Sequence, residues 1–236
     1  MSWNPTEEEI REVDGLLEAY YGEKRWSGGG DPLDGLVGTI LSQNTSDVNS
    51  HAAFRSLKAR FPTWDQVLRA REASIARAIA RGGLANIKAG RIKRILQQIA
   101  RQRGSLDLTF LRDMPPEEAV QYLLQFHGVG RKTAACVLLF DCGRPVIPVD
   151  THVFRVASRL GWLPERTTPD KAHDVLQALV PNDLIYQLHL NMVAHGRKLC
   201  RPSDPKCPEC MIPAYCEYYK ATSRPPARKT NRQPPA

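Results

Sequence analysis

The sequence of 236 residues lacks a long apolar run: the longest, Ala134 to Phe140, has only seven residues. A membrane-spanning helix needs about 20, so no membrane partner is expected. The chain also lacks the alternation of apolar and polar residues that is typical of half-buried strands. It begins Met1-Ser2-Trp3-Asn4-Pro5 and then becomes acidic, which fits neither a secretion signal nor an arginine-rich transit peptide. A reducing, cytoplasmic setting is therefore predicted.

Cysteine is scarce, with six residues in the chain, and in a reducing compartment these are thiols or metal ligands. Four of the six fall within one Pro-rich stretch, spaced Cys200-x6-Cys207-x2-Cys210-x5-Cys216. Four thiolates in a loop predict a metal centre, either a zinc ion or an iron-sulfur cluster. Their spacing alone leaves both open. Cys136 and Cys142 lie in an apolar helical segment and are predicted to be core residues.

Acidic residues are outnumbered, with 25 Asp and Glu against 33 Lys and Arg and a net charge of +8. This balance favours a polyanionic partner such as nucleic acid. The C-terminal stretch 220–236 has five basic residues and no acid, and so carries +5 of the +8. It holds four prolines and no large aliphatic residue, which predicts a disordered basic tail, placed at 219–236. The remaining body is nearly neutral and must bind through the local placement of its charges.

Helical signals recur along the body at the 3.6-residue period. They predict helices at about 5–21, 32–42, 48–60, 64–70, 72–81, 87–103, 116–126, 131–142, 151–160, 169–180 and 186–199. The connections are short and no repeat of 20 to 50 residues stands out, which argues against a solenoid. The sequence therefore predicts a compact all-α protein.

Two glycines separate two of these predicted helices in the segment Phe126-His127-Gly128-Val129-Gly130-Arg131-Lys132. Gly128 and Gly130 permit a tight hairpin, whose bare N–H groups at the next helix start could hold a phosphate. A simple helix-helix turn is the alternative. Lys132 falls in the first turn of that helix, where the helix dipole disfavours its ammonium form and so favours a reactive amine.

A carboxylate directly precedes another predicted helix in Val149-Asp150-Thr151-His152. Asp150 is predicted to cap that helix, because an Asp at this position accepts from the first free N–H groups. A cap and a chemical role are compatible.

In these features the sequence resembles the endonuclease III family of helix-hairpin-helix DNA glycosylases. Four signatures occur in family order: the segment Leu41-Ser42-Gln43-Asn44-Thr45-Ser46-Asp47, the hairpin with Lys132, the Asp150 motif and the four-cysteine loop. The resemblance covers roughly residues 5 to 218. It implies a two-module all-α fold, with a six-helix barrel at 32–144 and a cluster module formed by 1–31 and 145–218. It also implies a [4Fe-4S] cluster on the four cysteines and a DNA cleft between the modules.

The resemblance further implies a bifunctional DNA glycosylase and AP lyase of base excision repair, acting as a monomer on double-stranded DNA with damaged bases or abasic sites. Lys132 would attack C1′ of the sugar, form a Schiff base and permit β-elimination, with Asp150 as its catalytic partner. Oxidised pyrimidines are the expected substrates, in a prokaryotic, nucleoid-associated setting. Mismatched or alkylated bases are an alternative. A non-catalytic iron-sulfur DNA-binding protein is a remoter one.

Several DNA contacts are predicted by position. Leu84 matches the family's wedge residue, the leucine that inserts into the base stack. An ordinary core leucine is the alternative interpretation. The family's gap-filling glutamine aligns with Asn44 and not with Gln43, so either side chain remains a candidate. The other predicted DNA-binding residues follow the Asp150 motif or lie in the cysteine loop: His152, Arg155 and Lys206.

Overall fold

Helices supply the regular structure of the computed structural model, which describes residues 5–223. No strand occurs in that part of the chain, which confirms the all-α prediction. The α-helices are α1 (Glu7–Tyr21), α2 (Pro32–Ser42), α3 (Asp47–Arg60), α4 (Trp64–Arg69), α5 (Glu72–Ala78), α6 (Ala85–Arg103), α7 (Pro116–Leu124), α8 (Arg131–Cys136), α9 (Thr151–Leu160), α10 (Pro169–Leu179), α11 (Ile185–Lys198) and α12 (Glu217–Thr222). None of the helices between residues 5 and 223 combines the length and apolar character of a membrane span.

The helix predicted at 131–142 differs from the observed one in its hydrogen bonding. The α-helical part ends at Cys136 and is followed by a wider π-type turn over Val137–Asp141. The N–H of Cys142 accordingly bonds the carbonyl of Val137, five residues back, at 3.2 Å. The apolar pattern is the same in both forms, so it predicts the segment but not this change.

The chain also departs from prediction at both ends. Helix α1 begins at Glu7, two residues later than predicted, because Thr6 caps it and forms a complete capping box with Glu9. Helix α12 was not predicted, and it includes residues 219–222, which were assigned to the disordered tail. The rest of that predicted tail, beyond residue 223, lies outside the described residues.

The buried side chains form two hydrophobic cores. The first is built by α2 to α8 and the adjoining turns, and its members lie between Leu33 and Cys142. The second joins the α1 residues Ile10, Val13 and Leu17 to residues of α9, α10 and α11. Helix α1 packs mainly on α11, which packs on α9. The two ends of the described chain thus share one core, while the middle of the chain has the other.

The chain crosses between the cores where glycine is required. A Cβ atom on Gly29 would lie 1.9 Å from the carbonyl oxygen of Asp141, and one on Gly35 would lie 1.8 Å from its Oδ2. Burial raises the pKa of the Asp141 carboxyl to about 7, with smaller contributions from the nearby carboxylates of Asp31 and Asp34. The carboxyl that packs against Gly35 therefore binds a proton near neutral pH.

Candidate active site and cysteine site

A cleft of about 570 Å³ lies between the two cores. Gln43 and Asn44 line it from the end of α2, Lys132 from the start of α8, and Asp150 from the start of α9. Gln43 and Asp150, which lie 107 positions apart in the sequence, thus share one cavity. The structure brings the predicted catalytic pair together with both predicted gap-filling candidates.

Lys132 is the second residue of α8 and lies directly after the glycine hairpin. Gly128 has a φ of +82°, a left-handed conformation that favours glycine. Gly130 is the N-cap residue of α8, and its carbonyl accepts from the N–H of Ala134 at 3.0 Å. The partly buried Lys132 side chain lies beside the buried Cys136 thiol, one helical turn further on. The hairpin thus ends where the amine enters the cleft.

Asp150 caps α9 as predicted. Its Oδ1 atom accepts from the N–H groups of His152 and Val153, at 2.8 Å each. These bonds fix the carboxylate against the helix N-terminus, where a negative charge is stabilised. Its second oxygen, Oδ2, makes no hydrogen bond within residues 5–223, and the residue lines the cleft.

Gln43 is bound to the hairpin. Its Nε2 donates to the Thr133 hydroxyl at 3.3 Å and to the Gly128 carbonyl at 3.4 Å. Its Oε1 accepts from Nη1 of Arg91 at 2.5 Å. The neighbouring Asn44 is exposed, with a φ of +53°. The two candidates therefore differ in the free protein: one amide is engaged and the other faces solvent.

Arg91 was not predicted from the sequence. Its side chain packs so closely on the hairpin that a Cβ atom on Gly128 would lie 2.1 Å from its Nε. Gly128 is thus required both for its backbone conformation and for space. Nothing around Arg91 in the sequence distinguishes it from the other arginines of α6, since its position is determined by tertiary packing.

Leu84 is exposed and is not a core residue. Its side chain is 51% accessible, and it holds the N-cap position of α6 with a φ of +48°. The buried ammonium of Lys88 supports this turn by donating to the carbonyls of Gly82 and Leu41, each at 2.8 Å. Burial lowers the pKa of Lys88. An apolar side chain is thus held outward on a backbone conformation that is strained for leucine.

The other predicted DNA contacts lie near the cysteines. Arg155 donates to the carbonyls of Cys200 and Gly196, each at 2.8 Å, and lies 3.1 Å from Nδ1 of His152. Its guanidinium therefore fastens the end of α11 to α9. Lys206 pairs with Glu209 at 3.2 Å. Contact of these residues with DNA stays a prediction.

The four clustered cysteines line one small cavity of about 30 Å³. Nη1 of Arg159 donates to the Cys200 sulfur at 3.2 Å, and Nε2 of His195 lies 3.7 Å from the Cys210 sulfur. Sulfur atoms that face N–H groups across a shared cavity suit thiolate ligation. All six cysteines are free thiols. Cys136 and Cys142 are buried as predicted.

Within residues 5–223, no group of three His, Cys, Asp or Glu side chains has the geometry to hold a single metal ion. The cavity offers four cysteine sulfurs as possible ligands. That donor set fits an iron-sulfur cluster.

Comparison with known proteins agrees with this geometry. Residues 37–182 match the HhH-GPD superfamily of base excision DNA repair proteins. The endonuclease III of Thermotoga maritima is 35% identical over 190 residues, covering 80% of this chain and 84% of that protein. A candidate DNA glycosylase of Arabidopsis thaliana is 47% identical over 168 residues, covering 71% of this chain but only 57% of the plant protein.

Solved structures show the same fold. A trapped covalent intermediate of endonuclease III with DNA superposes with a TM-score of 0.77 at 24% identity, over 93% of this chain and all of that one. A thermostable thymine-DNA glycosylase gives a TM-score of 0.75 at 21% identity, over 89% of this chain and 96% of that one. Together with the matched region and the 35% identical bacterial relative, these likenesses establish that the chain belongs to the endonuclease III family of the HhH-GPD superfamily.

Proposed function

We propose that the protein is a bifunctional DNA glycosylase and AP lyase that removes oxidised pyrimidines from double-stranded DNA. The observation that carries this proposal is the shared cleft between the two cores, which both Lys132 and Asp150 line. The two cores would be the two modules of the family fold, with the barrel at 32–144 and the cluster module at 1–31 and 145–218. The Arabidopsis ROS1 protein, which is named as a DNA glycosylase and AP lyase, is 32% identical over 173 residues, covering 66% of this chain and 12% of that protein.

Lys132 would act as the nucleophile. A base within the stack cannot be reached, so the damaged nucleotide first rotates out of the duplex into the cleft. Neutral Nζ then attacks C1′ while the bond from C1′ to the base nitrogen breaks, and the base leaves with a proton. Opening of the sugar ring yields a Schiff base between C1′ and Nζ. Removal of a proton from C2′ then expels the 3′ phosphate, which cuts the strand.

Asp150 would stabilise charge or transfer protons during these steps. Its Oδ1 is held by two backbone N–H groups, so the carboxylate cannot rotate freely. Its Oδ2 could stabilise positive charge that develops on the sugar as the base departs, or move a proton between Lys132 and the leaving base. A fixed carboxylate costs little reorganisation during the reaction.

DNA would be bound by individual groups at specific positions, because the chain without its basic C-terminal stretch carries little net charge. Backbone N–H groups at Gly128 and Gly130 would bind a phosphate, as helix N-termini commonly do. Leu84 would enter the stack, and an amide at Gln43 or Asn44 would occupy the space left by the rotated nucleotide. His152, Arg155 and Lys206 remain proposed backbone contacts.

The cysteine cavity would hold a [4Fe-4S] cluster through Cys200, Cys207, Cys210 and Cys216. When bound, the cluster would supply four metal-thiolate bonds that fold a loop with little core of its own. The loop would then present Lys206 toward the DNA backbone. No step of base removal or strand cleavage requires the cluster.

Borohydride trapping tests the proposed chemistry. The wild-type protein should form a covalent complex with an oligonucleotide duplex that contains thymine glycol, and Lys132→Ala should form none. A full yield from Lys132→Ala would overturn the assignment of the nucleophile. Duplexes with dihydrouracil, a mismatched thymine, methylated adenine or an abasic site separate the substrate classes. A non-catalytic binding protein would leave the abasic strand intact.

A further inference from the structure

The segment that delivers Asp150 to the cleft is held by side chains. Gln177 of α10 spans part of it: Oε1 accepts from the N–H of Ile147 and Nε2 donates to the carbonyl of Pro145, each at 2.9 Å. Nε2 of His173, one turn earlier on α10, accepts from the N–H of Val149 at 3.3 Å. Two side chains of one helix therefore fix three backbone groups within five residues.

A second helix holds the same segment. Nδ1 of His189 on α11 donates to the carbonyl of Pro148 at 2.9 Å. The donor assignment follows from chemistry, because a carbonyl oxygen can only accept. His189 is 5% exposed, and Ile147, Pro148 and Val149 are buried. The bonds to Pro148 and Val149 are buried, so the path of the chain just before Asp150 depends on them.

Helix α10 also holds the start of α8. The guanidinium of Arg131, the residue before Lys132, forms a two-pronged ion pair with Asp174, with Nη1 2.9 Å from Oδ2 and Nη2 bonded to Oδ1. Asp170 lies 3.9 Å from Nη1. Bidentate pairs of this kind fix direction as well as distance. The same helix therefore contacts the residues next to both groups of the proposed active site.

Helix α10 is itself well fixed. Ala172 and Leu176 are fully buried in the second core, and Thr168 caps the helix by accepting from the N–H of Lys171 at 3.3 Å. Its polar face is the one turned to α8 and to the segment before Asp150. Small displacements of a reacting group strongly slow a reaction. A site whose groups lie on two separate helices therefore needs rigid support of this kind.

We propose that helix α10 sets the separation between Lys132 and Asp150, with Gln177, His173 and the Arg131–Asp174 pair as positioning residues. This inference rests on the proposed function. Gln177 and His173 act through Asp150, and the Arg131–Asp174 pair acts through Lys132. None of these side chains has to touch the substrate.

A double-mutant cycle tests the proposal. Gln177→Met keeps the length of the side chain but removes both hydrogen bonds. We expect it to lower the single-turnover rate of base excision about tenfold or more, while the dissociation constant for a duplex with a reduced abasic site changes less than about twofold. Gln97→Met makes the same chemical change on an exposed position of α6 and should leave the rate unchanged.

The cycle is completed in the Asp150→Asn background. If Gln177 works through Asp150, Gln177→Met should cost little further rate there, because effects that share one route are not additive. Full additivity of the two rate losses, or a wild-type rate for Gln177→Met, would overturn the proposal. Absence of trapped complex with the wild-type protein would overturn the proposed function instead.

A second variant does not depend on a buried position. Asp174 is largely exposed, so Asp174→Asn should fold normally. We expect it to slow Schiff base formation with an abasic duplex severalfold, whereas Asp113→Asn, on an exposed turn, should not. Equal rates for these two variants would contradict the role of the ion pair even if Gln177→Met destabilises the protein.

Discussion

The hydroxyl oxygen of Tyr21 lies 3.1 Å from Nδ1 of His195, which links the first helix to the cysteine cavity. Burial lowers the pKa of His195 to about 4, so the ring is neutral at pH 7. When Tyr21 donates to Nδ1, the single ring proton lies on Nε2 and faces the Cys210 sulfur at 3.7 Å. The backbone carbonyl of His195 also accepts from the N–H of Cys200 at 2.8 Å. One histidine thereby contacts two of the four proposed ligands.

Removal of the Tyr21 hydroxyl should loosen this link. We expect Tyr21→Phe to lower the free energy of unfolding by about 1 to 2 kcal/mol, because a buried ring nitrogen loses its partner. Urea denaturation measures the change. Tyr20→Phe is the matched control, since the neighbouring Tyr20 ring is 44% exposed. Equal stability of the two variants would contradict the link.

Leu84 should show opposite effects on stability and activity. Leucine at a φ of +48° is strained by about 1 kcal/mol relative to glycine. We therefore expect Leu84→Gly to be as stable as the wild type or more stable, while base excision in a duplex falls at least about tenfold. Leu16→Ala, on the 38% exposed Leu16 of α1, should leave excision unchanged. A Leu84→Gly variant with full activity would exclude the wedge role.

Asp141 should make stability depend on pH. Its pKa in the folded protein is raised to about 7, above that of the unfolded chain. Between about pH 4 and pH 7 the folded form keeps a proton that the unfolded form has lost, so this group's contribution to stability falls as the pH rises. Above pH 7 the carboxyl is ionised in both forms, and burial of its charge lowers the stability by the full amount.

Replacement of that carboxyl isolates its effect. We expect Asp141→Asn to be more stable than the wild type at pH 8 by about 1 to 2 kcal/mol, a value reduced from the full shift because solvent partly screens the group. The two proteins should have similar stability near pH 4. Chemical denaturation at both pH values provides the measurement, with Asp113→Asn as the exposed control. A difference that does not grow with pH would contradict this prediction.

The cysteine site can be tested through its spectrum. We expect the purified protein to have a broad absorption band at about 400 nm and to lose it in Cys207→Ser, as iron-sulfur ligation requires. Cys142→Ala removes a buried thiol outside the cavity and should retain the band. Stoichiometric zinc without that band would favour the other metal centre that the spacing allows.

Local patterns predict most of the helices, the reactive amine of Lys132 after a glycine pair, and the helix cap formed by Asp150. The catalytic pairing of these two residues follows instead from the resemblance to the endonuclease III family. Leu84 is different, because a leucine in a core and a leucine in a wedge have the same local pattern. Its exposure depends on Lys88, whose ammonium reaches two carbonyls that lie 47 and 6 residues away.

Tertiary contacts explain what the sequence could not predict. Arg91 contacts Gln43 and Gly128, which lie on two different elements, and Gln177 bonds a segment 30 residues upstream. The π-type turn after Cys136 is likewise a change of hydrogen-bond register within an unchanged apolar pattern. None of these features has a short-range signature.

The contact between the two ends of the described chain has a consequence for synthesis on the ribosome. Ile10, Val13 and Leu17 emerge long before their partners, since the side chains that bury them lie mostly between residues 139 and 212. The first core needs only residues up to about 142, so it can form while α1 still has no partner. Folding in order of synthesis therefore leaves the apolar face of α1 exposed until α11, on which it mainly packs, is made.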